Sequence, residues 1–270
     1  MTAPAPWWRT MNDTWRTAAH ENHEIAEMLA AGAVELLSDQ VISLLDEVEA
    51  VFVDIGADTP GWEDPHREPD GTLREVLVEE YSRCLDPEKH LILWSRAEAW
   101  TRVLTARGWA GETIHEDPAE VRWLPAPSAT LCRTTGLHPA RIGAHVLVLA
   151  RTAPDDAASR AERPGAEALL PGLVIGLGDP AMPVETLPQC GCDACDSGSA
   201  DLLETLDVEI LSIVDGSSEI AHTPAGYSKR SSFSAESGTG EGWPALTASV
   251  TAGAWAEGWK SRRLTPDTPL

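Results

Sequence analysis

Pro171-Gly172-Leu173-Val174-Ile175-Gly176-Leu177-Gly178 is a short apolar run closed by Pro at one end and by Gly at the other. Its length and its punctuation suit a buried strand better than a helix. Residues 129–133 and 143–150 follow the same pattern and read as two more strands. Upstream the period changes. Val34, Leu37, Val41, Leu44, Val48, Val51 and Ile55 recur at spacings of three and four, which predicts a long amphipathic helix stopped by Gly56. Ile25, Met28 and Leu29 mark one face of a preceding helix over 15–31, with Gly32 between the two. Another helix follows Asp86-Pro87, where Pro suits the first turn. Leu93, Ala97, Trp100 and Leu104 form its stripe, and Gly108 ends it.

Downstream, Leu203, Leu206, Ile210 and Ile213 predict a helix over 199–214 that ends at Gly216. Acidic Asp196 and Asp201 at its start suit the helix dipole. Residues 218–222 and 227–235 read as strands, and 237–242 as a Gly-rich turn. The order defines an α+β protein: N-terminal helices followed by a small, mostly antiparallel sheet with one further helix. A length of 270 residues accommodates a single such domain over 15–262, helical to 110 and mixed thereafter. Outside it lie an irregular N-terminus (1–14) and a tail (263–270). The Pro/Gly/Asp-rich stretch 58–72 is a loop. The Ala/Arg/Glu-rich stretch at about 151–167 is an exposed insertion, and the C-terminal segment of the domain carries Trp243, Trp255 and Trp259.

The chain has 43 acidic and 20 basic side chains, a formal charge of -23. Phosphate contacts need clustered Lys and Arg, so nucleic acid is excluded as a partner. Anionic membrane surfaces are excluded on the same ground. The longest apolar runs, 142–150 and 168–178, are about half of the roughly 20 residues a membrane helix needs. The first ten residues offer no signal-peptide core, and a cytoplasmic protein is expected. The charge suits a basic protein partner or a cationic ligand, although acidity also serves solubility alone. Only three of the basic residues are Lys, and Ala, Gly and Pro abound, a background of high-GC codon usage.

Five cysteines are an odd number, and three of them fall within six positions: Cys190-Gly191-Cys192-Asp193-Ala194-Cys195. That is not the spread of a disulfide framework. Three thiols at C-x-C-x2-C spacing on a turn before a helix can converge on one ion, and a helix N-terminus favours thiolates. Zinc is the leading metal, since it takes sulfur ligands in a tetrahedral site. The fourth ligand is open; Cys132, His138, His145 and His222 are candidates. A water in that position would make the site catalytic instead. A redox pair, Cys192 with Cys195, is the other reading, although the βαβ context of thioredoxin-like proteins is absent.

Other polar groups are weaker signals. Tyr81, Arg83 and Asp86 put a phenol, a guanidinium and a carboxylate within six residues, able to bind a polar ligand or to form an ordinary ion-paired turn. Trp62 and His66 belong to a second compact turn, Trp62-Glu63-Asp64-Pro65-His66, whose aromatic could stack on a ligand or pack on the core. His20 and His23 lie one helical turn apart but lack the zincin spacing, so a solvated face is favoured. Gly176-Leu177-Gly178-Asp179-Pro180 lacks the third glycine of a dinucleotide fingerprint, and Pro stands where the helix should open. No nucleophile elbow, P-loop or kinase signature occurs.

Three stretches resemble an uncharacterised family of high-GC bacteria, a domain of unknown function: Trp62 to His66, Glu79 to Pro87 with Arg96, Ala97 and Trp100, and Leu187 to Ser199 with its CGCDACDSGS motif. The likeness runs over about 35–262. It implies no activity, but it makes a shared role for the cysteine turn more plausible. The sequence therefore points to a zinc-stabilised binding or regulatory module. A metalloenzyme of hydrolytic type, with an open metal position near Tyr81, Arg83 and Asp86, is the alternative, and a thiol redox sensor is the third reading.

Overall fold

The structure is a computed structural model that describes residues 6–32, 35–153, 170–239 and 246–259. Its helical part begins earlier than the sequence suggests. Helix α1 spans Trp7–Glu21 and α2 spans His23–Ala30, so the N-terminus is not irregular up to residue 14, and the single helix expected over 15–31 is divided. Asn22 divides it, because its side chain accepts from the Glu24 amide at 2.9 Å and caps α2. Helix α1 lacks an aliphatic stripe and is held by indoles instead. Trp8 Nε1 donates to Asp46 at 3.0 Å and Trp7 Nε1 to Asp207 at 3.2 Å.

Helix α3, Asp39–Ile55, starts at the Ser38 cap, whose hydroxyl accepts from the Val41 amide. It packs on α4, Ile92–Ala106, where Leu93, Ala97, Trp100 and Leu104 are all buried as their spacing predicts. Helix α5 spans Ser199–Val214, the predicted range.

Five strands form one antiparallel sheet in chain order: β1 Ala110–His115, β2 Leu131–Pro139, β3 Leu147–Thr152, β4 Gly172–Leu177 and β5 Met182–Leu187. Every residue of β4 is buried, which explains its unbroken apolar sequence: a strand covered on both faces has no polar side to display. Trp94 of α4 reaches the strand and donates Nε1 to the Gly172 carbonyl at 2.7 Å. A second antiparallel sheet has the order β8-β7-β6-β9, from β6 Glu219–Thr223, β7 Gly226–Arg230, β8 Ala235–Thr239 and β9 Ala248–Thr251. The fold is α+β.

Several strand expectations need correction. The stretch 237–242 is not simply a turn, since its first three residues belong to β8. That strand is mostly exposed and is held by its ladder to β7 rather than by apolar packing. Strands β1, β5 and β9 were not expected; β1 has no apolar alternation, and β9 alternates but is only four residues long. Residues 151 and 152 belong to β3. The rest of the expected insertion, the tail and Trp243 lie outside the described residues. Trp255 is buried, and Trp259 packs against the core. Among the described residues no helix is long and apolar enough to cross a membrane.

One charged network sits inside the helical core. Arg96, 1% exposed, sends Nε and Nη2 to the two oxygens of Asp207 at 2.8 and 2.7 Å, and Nη1 to Glu49 at 2.5 Å. Trp100 Nε1 donates to the same Asp207 at 2.8 Å. The pair is buried but fully bonded, the condition under which burying charge is tolerated.

Candidate metal centre and its flanking cavities

The cysteine turn leaves β5 at Leu187 and enters α5 at Ser199, so two rigid elements clamp its ends. Between them, residues Asp193–Cys195 make a single 3-10 turn. This tight winding draws the three sulfurs together. The Sγ atoms of Cys190, Cys192 and Cys195 all lie within 4.8 Å of one another, and Cys190 Sγ is 3.2 Å from Cys192 Sγ. All are free thiols; Cys190 and Cys195 are exposed and Cys192 half-buried.

Their protons are held unequally. Partial burial pushes the Cys192 thiol up, but hydrogen bonds from Cys190, Cys195 and the amides of Cys195 and Ala194 outweigh it, and its pKa falls below the ordinary value. The Cys195 pKa is pushed up to about 12, because its hydrogen bonds with Cys192 and Cys190 and its neighbours' charge hold the proton in place. The cluster thus favours thiolate at its centre, and an ion entering it must displace the remaining protons.

Two aspartates within the turn brace it. Asp193 receives Arg83 Nε at 2.7 Å and the Leu85 amide at 3.1 Å, while its own amide donates to the Arg83 carbonyl at 2.8 Å. Arg83 Nη2 also reaches Glu80 at 3.2 Å, and Arg74 grips both oxygens of Glu80 at 2.9 and 2.7 Å. These bonds, Arg74 first and the Leu77 amide next, lower the Glu80 pKa to about 2. On the other side, Asp196 accepts from Trp62 Nε1 at 2.8 Å, from the Gly198 amide at 2.9 Å and from Lys89 Nζ. Burial opposes its ionisation, but Lys89, Trp62 and the Gly198 amide prevail and its pKa is lowered.

Trp62 and Ser199 close the brace through three contacts: the Trp62 amide donates to Ser199 Oγ at 2.9 Å, and the Ser199 amide and hydroxyl both donate to the Trp62 carbonyl, at 3.0 and 3.1 Å. This requires close approach at Gly198, which has φ +92° and where a Cβ would stand 2.8 Å from the Asp64 amide nitrogen.

The turn forms a ridge between two cavities. The larger, about 440 Å³, is bordered by Tyr81, Arg83, Cys84, Gln189, Cys190 and Cys192. The smaller, about 310 Å³, is bordered by Trp62, His90, Cys190, Cys195 and Asp196, with Asp201 and Thr205 of α5. Tyr81 and Arg83 therefore meet the cysteines at one cavity and Trp62 meets them at the other. Asp86 is exposed and borders neither of these two cavities. His66 is buried, with Nδ1 3.5 Å from Asp64 and Nε2 4.0 Å from Glu80, and also borders neither.

The four residues named as fourth ligands, Cys132, His138, His145 and His222, do not join the sulfur cluster. Sequence reading passed over Asp193, Lys89, His90 and Ser199. Asp193 stands inside the cysteine motif, where a carboxylate flanked by thiols is a signal for bracing. Lys89 and Ser199 are placed by contacts across more than a hundred residues, and His90 by its ring contact with Trp62, none of which a local pattern encodes.

The fold and this turn together define an α+β domain that carries a cluster of three free thiols. Residues 48–267 match a family of unknown function, DUF6226, and the chain belongs to that family. No curated protein and no solved structure matches the chain.

Proposed function

We propose that this chain is a cytoplasmic binding or regulatory module whose cysteine turn is stabilised by zinc, with Cys190, Cys192 and Cys195 as ligands. The spacing of the sulfurs carries the reading. Zinc–sulfur bonds of about 2.3 Å in a tetrahedron put ligand sulfurs roughly 3.8 Å apart. The observed 3.2 Å contact and the 4.8 Å limit bracket that distance. Thiolates select zinc over harder divalent ions. Bound there, zinc would supply a cross-link; the chain's own part is to hold the ligands. Asp193 and Asp196 tie the turn to the 62–89 segment, the kind of outer support that orients metal ligands.

The binding part of the reading rests on the larger cavity. Among the described residues its border holds no carboxylate and no imidazole, but a phenol, a guanidinium and three thiols beside apolar side chains, a mixed surface suited to recognition. A basic protein remains the partner class suited to the acidic charge. The metalloenzyme reading draws support from Tyr81 and Arg83 bordering that same cavity as Cys190 and Cys192. Against it, the Arg83 guanidinium is already committed to Asp193 and Glu80.

Titration of reduced, metal-free protein with zinc against a chromophoric chelator tests the proposal. Wild type is expected to take up one ion, and the Cys190→Ser, Cys192→Ser, Cys195→Ser triple variant none. Equal uptake by both would refute the assignment.

A further inference from the structure

Three sulfurs leave a tetrahedral ion one ligand short. The carboxylates nearest to them are already spent: Asp193 on Arg83 and Leu85, Asp196 on Trp62, Gly198 and Lys89. Cys84 borders the larger cavity, and its thiol pKa is raised, first by burial.

The smaller cavity holds a different donor. His90 shares its border with Cys190 and Cys195. It is 4% exposed, and its Nδ1 has no hydrogen-bond partner. A buried nitrogen left unsatisfied costs on the order of 1–3 kcal/mol, and such a group calls for an occupant. Its ring stands edge-on to Trp62 with centroids 5.9 Å apart, and Trp62 is itself tied to Asp196, the residue after Cys195. His90 is therefore linked to the cysteine turn through Trp62, and its Nδ1 has no partner at hydrogen-bond distance.

We propose that His90 Nδ1 is the fourth ligand, making a closed Cys3His zinc site with Cys190, Cys192 and Cys195. This rests on the zinc reading above. His90 lies outside the 4.8 Å sulfur cluster, so metal binding draws the ring and the turn together across the smaller cavity. The ion would then bolt two segments at one point: the 3-10 turn Pro87–Leu91 and the cysteine turn that leads into α5.

X-ray absorption at the zinc edge of the reconstituted full-length protein, recorded for wild type and His90→Gln, tests it. Three sulfurs and one nitrogen in wild type, with the nitrogen lost and zinc affinity weakened at least about tenfold in the variant, is the expected result. Four sulfurs, or an unchanged shell and affinity in His90→Gln, would overturn the assignment while leaving the zinc reading intact. Failure of wild type to bind zinc would overturn both. Nitrogen-15 spectra of histidine-labelled wild type provide a second readout without a variant: one Nδ1 resonance must move on adding zinc, and its absence counts against His90.

Discussion

Arg83 and Asp193 hold each other twice, side chain to side chain at 2.7 Å and the Asp193 amide to the Arg83 carbonyl at 2.8 Å, across 110 positions of sequence. The pairing fixes the cysteine turn against the segment that carries Tyr81 and Cys84. Asp193→Asn keeps the size of the side chain but removes its charge. If the brace orients the ligands, zinc affinity falls by about tenfold while the fold is retained. Chelator competition measures this, and unchanged affinity would remove Asp193 from the site's support.

The Arg96–Asp207 pair makes a stronger claim about stability. Both side chains are 1% exposed, so Asp207→Ala leaves the buried guanidinium with Glu49 alone and frees two indole N–H groups. Breaking such a pair from one side costs about 3–5 kcal/mol. Denaturant unfolding should show that loss; a cost below about 1 kcal/mol, the scale of an exposed pair, would mean that water reaches Arg96.

How much of this was legible in the sequence differs by element. Helices α3, α4 and α5 were, because each buries one face and so repeats its apolar residues every three or four positions. Strands β3 and β4 were, because burial on both faces leaves an unbroken apolar run. Strand β8 was not: Ala235-Glu236-Ser237-Gly238-Thr239 owes its shape to backbone bonds with β7, which any sequence can make. Helix α1 was missed because indole N–H groups on distant aspartates replaced an aliphatic stripe. At the site, the three cysteines were legible from spacing alone. Their braces were not, since Lys89, His90 and Ser199 meet the turn only once the chain is folded.

Acid sensitivity should report on Glu80. Its pKa is lowered from 4.5 to about 2 in the folded protein. A carboxylate depressed in this way contributes stability that is complete above pH 4.5 and is lost as the pH falls toward 2. Unfolding measured between those limits should therefore weaken with acid in wild type, and Glu80→Gln should flatten that part of the profile. Parallel profiles would show that Arg74 and Arg83 do not act through this group.

Gly198 carries the close approach between Trp62 and Ser199. With φ at +92° and the Asp64 amide 2.8 Å from a would-be Cβ, Gly198→Ala combines backbone strain with a collision against main chain. The expected cost exceeds about 1 kcal/mol, read as a lower thermal midpoint. A neutral substitution would mean that the loop at 62–64 yields.

The central claim is that the cysteine turn holds zinc, and the most direct measurement is the metal content of protein purified without chelator, with thiols counted in the same sample. The account predicts roughly one equivalent of zinc per chain, bound at Cys190, Cys192 and Cys195. Less than about a tenth of an equivalent of any metal, in protein whose thiols are reduced and which refuses added zinc, would contradict it.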